Sequence, residues 1–278
     1  SRRKVPILHI NGRLSDPSFK MYKKFSWFFL RIIETVNVFA VQTEQDARKV
    51  ISLGADSEKV KVIGNMKFDI SDLDSVLHRR DLGFGQDDVI FVAGSTHPGE
   101  EEILLNMYKQ IQPRYPDLKL ILAPRHVERS RNILKKAEKY RLTVSLLSEI
   151  RKGPGPYQVC IVDTIGQLRA LYTLADIVFV GKTLRVGGGQ NMIEPASSAK
   201  PIIVGPLTGN FKGVMETLLR NNAIIEVKDE AQLCRVTEQL LSDKTYRNEI
   251  GGRAKTMVAQ QRGSLDKTLH LIDQFISR

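Results

Sequence analysis

With 278 residues, 42% of them hydrophobic, the chain has enough apolar material for one large or two modest domains, which excludes a disordered polypeptide. Its 20 glycines and 11 prolines fall at element boundaries, with no low-complexity stretch or short-period repeat, so a tandem solenoid is excluded as well. The net charge of +11 asks for an anionic partner; no apolar run is long enough for a membrane-spanning helix and no leader pattern stands at the start, so the chain as given reads as soluble.

Cys160 and Cys234 stand in apolar neighbourhoods, the pattern of reduced core thiols in a reducing compartment rather than of a disulfide. Ser1 leads almost at once into Val5-Pro-Ile-Leu-His-Ile10, a buried-strand run, so the chain is expected to open inside a domain that begins upstream. Over positions 1–31 the cations Arg2, Arg3, Lys4, Arg13, Lys20, Lys23, Lys24 and Arg31 face one acid, Asp16, and are interleaved with Phe19, Met21, Tyr22, Phe25, Trp27, Phe28, Phe29 and Leu30. That mixture suits a surface resting on an anionic membrane. A core helix whose lysines solvate its outer face accounts for the same residues. Nucleic acid is disfavoured, since zinc-finger spacing, a ribonucleoprotein aromatic motif and a basic heptad region are all missing.

Short β-branched runs alternate with longer helical patterns, the signature of βαβ units around a parallel sheet. In chain order the sequence predicts strand Val5–Ile10, helix 18–35, strand Val38–Val41, helix 43–53 and strand Val60–Ile63. Strand Val89–Ala93, helix 99–112, strand Leu118–Leu122, helix 127–140, and strands Leu142–Leu146 and Val159–Val162 follow. Helix 166–174, strand Ile177–Val180, helix 191–199, strand Pro201–Val204, helix 210–221, strand Ala223–Glu226 and helix 229–242 come next, with further helix from 243 to the end. These are too many strands for one half-sheet. The expected division is a first α/β domain over 1–66, a polar linker and entry segment over 67–88, a complete second α/β domain over 89–262, and a helix over 263–278 that returns to pack on the first.

In open α/β sheets ligands sit outside the carboxyl ends of the strands. After Val89–Ala93 come Gly94-Ser95-Thr96-His97-Pro98-Gly99 and three glutamates. Glu100, Glu101 and Glu102 read as the acidic first turn of a helix, while Ser95, Thr96 and His97 are placed to face the cleft. Leu118–Leu122 ends in Ala123-Pro124-Arg125-His126, where a guanidinium can pair with phosphate in two-pronged fashion or form a surface salt bridge. Cys160-Ile-Val-Asp163 ends in Thr164-Ile165-Gly166-Gln167, whose backbone can read a base edge.

The most telling stretch is Gly181-Lys-Thr-Leu-Arg-Val-Gly-Gly188-Gly189-Gln190, followed by Asn191-Met192-Ile193-Glu194-Pro195. It reads as a nucleotide-sugar site: glycines let backbone N–H groups approach a ligand, Asn191 opens a helix, and Glu194 can accept both hydroxyls of a ribose. Asn191-x-x-Glu194 is also a capping box. The five histidines have no ligand spacing with one another or with cysteine, so nothing supports a zinc site, and neither a nucleophile elbow nor a Walker loop is present.

Together several segments resemble the 3-deoxy-D-manno-octulosonic acid (Kdo) transferases of bacterial lipopolysaccharide synthesis. They are Asn11-Gly-Arg13-Leu-Ser15, Gly64-Asn65-Met-Lys67-Phe68-Asp69, Gly94-Ser95-Thr96-His97-Pro-Gly-Glu100-Glu101, Ala123-Pro124-Arg125-His126, Asp163-Thr164-Ile-Gly166-Gln-Leu168 and Gly188-Gly-Gln-Asn191-Met-Ile-Glu194-Pro195. The order is the family's, and they span nearly the whole chain. The resemblance implies a GT-B glycosyltransferase fold, two Rossmann-like domains of which the N-terminal one is incomplete here. It implies transfer of Kdo from CMP-Kdo to a lipid A precursor at the cytoplasmic face of the inner membrane, inverting and without a metal ion. CMP contacts carry over to Pro124, Arg125, Ile165, Gly166, Gln167, Asn191, Met192, Ile193 and Glu194, with Ser95, Thr96, His97, Gly189 and Gln190 as further donor contacts and Lys67 as transition-state stabiliser. The family usually has alanine where Gly12 stands, and its loop before Gly188 differs from Leu184-Arg185-Val186-Gly187. Its membrane anchor, glycine-rich acceptor loop and catalytic glutamate are expected upstream of this chain, which would then retain donor binding but lack the base. Another GT-B enzyme acting on a UDP-sugar, or an inactive nucleotide-binding module at a membrane surface, are the alternatives.

Overall fold

Period-two apolar runs and amphipathic helices here build two parallel sheets, each in its own unit. The computed structural model describes residues 5–69, 77–150 and 157–276. Arg2, Arg3, Lys4 and part of the expected 67–88 linker lie outside those residues. One unit comprises Ser1–Ile70 with Ala259–Arg278, the other Ser71–Val258. The first unit thus ends a few residues beyond the 1–66 drawn from sequence, and it takes in the tail from 259 on.

In the first unit, strands β1 (Leu8–Gly12), β2 (Val38–Val41) and β3 (Val60–Val62) pair in parallel in that order. Helices α1 (Asp16–Lys24) and α2 (Ser26–Thr35) precede β2, and α3 (Glu44–Ser52) follows it. The single helix expected over 18–35 is two helices, because Phe25 leaves the helical region (φ −109, ψ 35) while its N–H still bonds the Met21 carbonyl. The first strand likewise starts at Leu8 rather than Val5. Along β2, Phe39 and Val41 pack with Val36, Ala47 and Ala55 on one face, while Val38 and Ala40 pack with Ile63 and Leu271 on the other, the two-residue alternation of a strand covered on both sides. Leu271 belongs to the helix Ser264–Ile276. Asp69 holds the start of that helix: its Oδ1 accepts the Gly263 N–H at 2.6 Å and its Oδ2 the Leu265 N–H at 2.7 Å, filling donors that a helix terminus leaves unpaired.

The second unit runs β4 (Val89–Thr96), α4 (Glu100–Ile111), β5 (Leu118–Pro124), α5 (Ser130–Glu138), β6 (Val144–Leu146), α6 (Leu147–Ile150), β7 (Val159–Ile161), α7 (Leu168–Leu174) and β8 (Ile177–Val180). It continues through α8 (Ile193–Ser197), β9 (Ile202–Val204), α9 (Lys212–Arg220), β10 (Ile225–Glu226), α10 (Glu230–Ser242) and α11 (Lys244–Gln260), and the helix Ser264–Ile276 is α12. All pairings are parallel, in the order β10-β9-β8-β4-β5-β7-β6. Phe91, Leu104, Tyr108, Leu120, Ile161 and Phe179 lie in one fully buried core, and the Tyr108 hydroxyl is satisfied by the Leu118 carbonyl at 2.7 Å.

Helix boundaries are where the sequence expectation departs most. Residues Val127–Arg129 form a 3-10 turn before α5, and α7 starts at Leu168, after the Gly166 turn. The helix expected over 191–199 shrinks to five residues, closed by Ala199 in the left-handed region (φ 56) with the Lys200 N–H on the Pro195 carbonyl. Gly263 (φ 94) separates α11 from α12. Cys160 is wholly buried and burial pushes its thiol up to about 12, which keeps it inert. Cys234 packs, partly buried, against the core of this unit, with its sulfur 3.7 Å from Gln110 Oε1 and near Glu230 and Glu238.

Candidate nucleotide site

β4 is the first strand of its unit yet sits mid-sheet, with β5 on one side and β8 on the other. Chain direction across the sheet therefore reverses between β4 and β8, and the crevice at their carboxyl ends is where an open α/β sheet takes a ligand. The end of β4 is irregular, with a register shift between Gly94 and Thr96 and Ser95 at φ 54. A non-glycine residue held there costs on the order of 1–3 kcal/mol and persists only where its surroundings enforce it. Enforcement comes from close backbone approach, since a Cβ on Gly181 would lie 2.4 Å from the Ser95 carbonyl oxygen. The bulge corrects one expectation: Thr96 does not face the cleft but is wholly buried, donating to Glu101 Oε1 at 3.0 Å.

The loops after β4, β5 and β7 enclose a cleft of about 120 Å³ whose walls include Ser95, Pro124, Arg125, Ile165, Gly166 and Gln167. The Arg125 N–H bonds the Thr96 carbonyl at 3.0 Å, stitching the ends of β5 and β4 together, while its guanidinium is exposed. Gly166 takes φ 88, and no atom lies within 4 Å of where a Cβ would stand, so glycine is needed there for conformation and not for space. Ile165 is 85% exposed at the lip. Thr164, also in the wall, has a buried hydroxyl without a hydrogen-bond partner. In the sequence Thr164 stands out only as part of a motif, because partner counts are invisible there.

Gly189, Gln190 and Asn191–Glu194, on the segment after β8, do not line this cleft. They connect to it through His97, whose Nε2 is 3.3 Å from Gln190 Nε2 and whose ring stands edge-on to His126 at 6.0 Å between centroids. Gly188 and Gly189 both use positive φ, 120 and 77, with their N–H groups on the carbonyls of Leu207 and Lys182.

Glu100 builds that segment. The sequence places it in the acidic first turn of a helix, and there it stands, fully buried. Its Oε2 accepts the N–H groups of His97 at 2.9 Å and Lys182 at 2.8 Å, and its Oε1 those of Thr183 at 2.9 Å and Leu184 at 3.0 Å. Four amide donors on one carboxylate offset the cost of burying it. Thr183 extends the tie, donating from Oγ1 to Val180 and accepting the Gly205 N–H at 2.8 Å. Glu101 is buried as well, gripped by Arg129 through two bonds of 2.9 and 3.1 Å. Only Glu102 stays at the surface, paired with Lys136. The missed signal was three acids in a row after Pro98-Gly99, next to a glycine-rich loop with many amides to satisfy.

The capping box is not formed either. Met192 is the helix N-cap, with no side-chain bond. Asn191 Oδ1 takes the Ile193 N–H at 3.0 Å, and its Nδ2 donates to Glu194 Oε1 at 2.9 Å. The side chains of Met192 and Ile193 are wholly buried, so only their backbone can meet a ligand. Lys67 belongs to the first unit, exposed on the 3-10 turn Met66–Phe68, whose N-cap Asn65 accepts the Lys67 N–H at 3.1 Å. Burial lowers the proton affinity of His97 below its ordinary 6.5, with Glu100 opposing and Lys182, His126 and Arg129 adding to the fall. Among the described residues no three His, Cys, Asp or Glu side chains gather as metal ligands do.

The chain is similar to known proteins in sequence and fold. The family model described as 3-Deoxy-D-manno-octulosonic-acid transferase (kdotransferase) matches residues 1–70. The 3-deoxy-D-manno-octulosonic acid transferase of Haemophilus influenzae is 32% identical over 282 residues, covering 99% of this chain and 66% of that protein. Among solved structures, the C-terminal CMP-Kdo binding domain of WaaA from Acinetobacter baumannii aligns with a TM-score of 0.59 at 25% identity, over 62% of this chain and 90% of that one. A putative UDP-N-acetylglucosamine 2-epimerase from Listeria monocytogenes aligns with a TM-score of 0.65 at 13% identity, over 99% of this chain and 69% of that one, a likeness of fold alone. The chain spans between 38% and 66% of the length of the curated relatives it matches. Parallel Rossmann-like sheets of the GT-B type, a family model over the first unit and relatives along nearly the whole sequence lead to one conclusion: the chain belongs to the Kdo transferase family.

Proposed function

We propose that the second unit holds CMP-Kdo and that the chain serves an inverting, metal-independent transfer of Kdo to a lipid A precursor at the cytoplasmic face of the bacterial inner membrane. The observation that carries this reading is the cleft shared by Pro124, Arg125, Ile165, Gly166 and Gln167, in a chain similar to a solved CMP-Kdo binding domain. In the transfer an acceptor hydroxyl oxygen bonds to the anomeric carbon, the bond from that carbon to the phosphate oxygen breaks, and CMP leaves with the electron pair. The hydroxyl proton passes to a base. Glu100 and Glu101 are unsuited to that task, being buried and saturated with donors. Arg125 suits the phosphate as a planar fork, the backbone of Ile165 to Gln167 the base, and Glu194 the ribose hydroxyls. Lys67 is assigned the developing phosphate charge, and Asn191 with Gly189 shapes the approach.

A lipid acceptor fits the first unit's surface. Met21, Phe25, Trp27, Phe28 and Ile32 are exposed on α1 and α2 and at their junction, among Lys20, Lys23, Lys24 and Arg31, which supports contact with an anionic bilayer. No helix among the described residues is long and apolar enough to cross a membrane.

Calorimetric titration of the chain with CMP and with UDP tests the reading. Tighter binding of CMP is expected; tighter binding of UDP would transfer the assignment to the UDP-sugar enzymes that share the fold.

A further inference from the structure

One oxygen of Glu100 draws together the backbones of two residues from different loops. Oε2 accepts the backbone N–H of both His97 and Lys182, so a residue following β4 and a residue following β8 are fixed next to each other across the point where the sheet reverses. Lys182 is held more firmly still. Its backbone is left-handed (φ 61), its carbonyl takes the Gly189 N–H at 2.8 Å, and its Cε lies 3.4 Å from where a Gly188 Cβ would be. The lysine stem therefore runs along the glycine loop, at a conformational cost a surface lysine has no reason to bear. Its charge is close enough to His97 to lower that ring's proton affinity, and Gln190 meets the same ring at 3.3 Å. A cation, an imidazole and an amide come together on the segments after β4 and β8, their backbones held by Glu100, whose charge still acts on the His97 ring.

Resting on the Kdo-donor reading, we propose that Lys182, His97 and Gln190 recognise the carboxylate of the transferred octulosonic acid, with Glu100 as their positioning residue. An ordinary nucleotide-hexose carries no anion on its sugar. The donor acid carries one on the anomeric carbon itself, next to the phosphate, so a second anion site beside the phosphate site is what distinguishes it. Lys182 supplies the charge, and Gln190 and the imidazole supply directed hydrogen bonds.

The test compares CMP with freshly prepared CMP-Kdo in calorimetric titrations of residues 1–278, wild type and Lys182→Met, Lys182→Arg and Gln190→Leu, each checked by thermal melting. Lys182→Met is expected to weaken CMP-Kdo about tenfold or more while CMP changes less than about twofold, Gln190→Leu to act in the same direction, and Lys182→Arg to recover most of the loss. Equal weakening of CMP and CMP-Kdo, or no weakening of CMP-Kdo in a variant that melts like wild type, overturns the carboxylate site alone. Failure of the wild-type chain to bind CMP overturns the donor reading and this inference with it.

Discussion

Oε1 of Glu100 and the amide nitrogen of Thr183 are 2.9 Å apart, joining the first turn of α4 to the loop that follows β8. Replacing Glu100 by alanine leaves four amides, one buried and three part-buried, without an acceptor, so unfolding stability is expected to fall by about 3–5 kcal/mol, and by less in Glu100→Gln, which keeps one acceptor oxygen. Urea denaturation measures both. A Glu100→Ala protein as stable as wild type would mean that the loop satisfies its amides some other way.

At the ribose, Glu194→Ala is expected to weaken CMP by about 1.5–3 kcal/mol, with Glu194→Gln losing less. Because Glu194 Oε1 also accepts the Asn191 amide, each variant is to be melted alongside. Lower melting temperature with unchanged CMP affinity would reduce Glu194 to a brace for Asn191.

Arg125→Lys is expected to weaken CMP too, since an ammonium cannot reproduce the planar fork. Unchanged affinity by calorimetry would remove Arg125 from the phosphate.

His97 is expected to titrate below 6.5, as burial, Lys182, His126 and Arg129 together outweigh Glu100. A group whose folded-state pKa is depressed binds fewer protons folded than unfolded. Its contribution is therefore complete above the unfolded value near 6.5 and is lost as pH falls through the lower folded value. Imidazole chemical shifts followed against pH give the direction, and His97→Gln is expected to flatten that part of the stability profile. A His97 that titrates above 6.5 contradicts the burial seen here.

In an active Kdo transferase that carries this sequence, the role proposed for Lys67 predicts that Lys67→Ala lowers kcat by more than about tenfold while donor affinity moves little, because a cation aimed at departing phosphate would act mainly in the transition state. Parallel loss of affinity and kcat would make Lys67 an ordinary donor contact.

Strand positions were legible because apolar runs such as Ile177–Val180, buried on both faces, are too short for a helix and rich in β-branched residues. The cleft was legible for a similar reason. Pro124 ends β5, Arg125 follows it, and Gly166 lies in the loop after β7, and strand ends fix where loops emerge. Glu100 stands in the helix's first turn as read, but its burial was not legible, because that depends on amides contributed 82 to 84 positions away. Thr96 was misread because a one-residue bulge reverses which neighbour points outward. The capping box failed through competition: Asn191 spends its oxygen on Ile193 and its amide on Glu194.

Asp69 and the helix it caps have a consequence for synthesis. Residues 71–258 form a unit from one continuous stretch of chain, so a ribosome delivers everything that unit needs before α12 emerges. The first unit has no such order of supply. Its face of Val38, Ala40 and Ile63 is completed by Leu271, and the acceptor oxygens of Asp69 await donors at 263 and 265. Domains otherwise tend to fold in the order they are made. Here the part that begins first is closed last, and a chain stopped after Val258 would leave an apolar face open and a carboxylate without its helix.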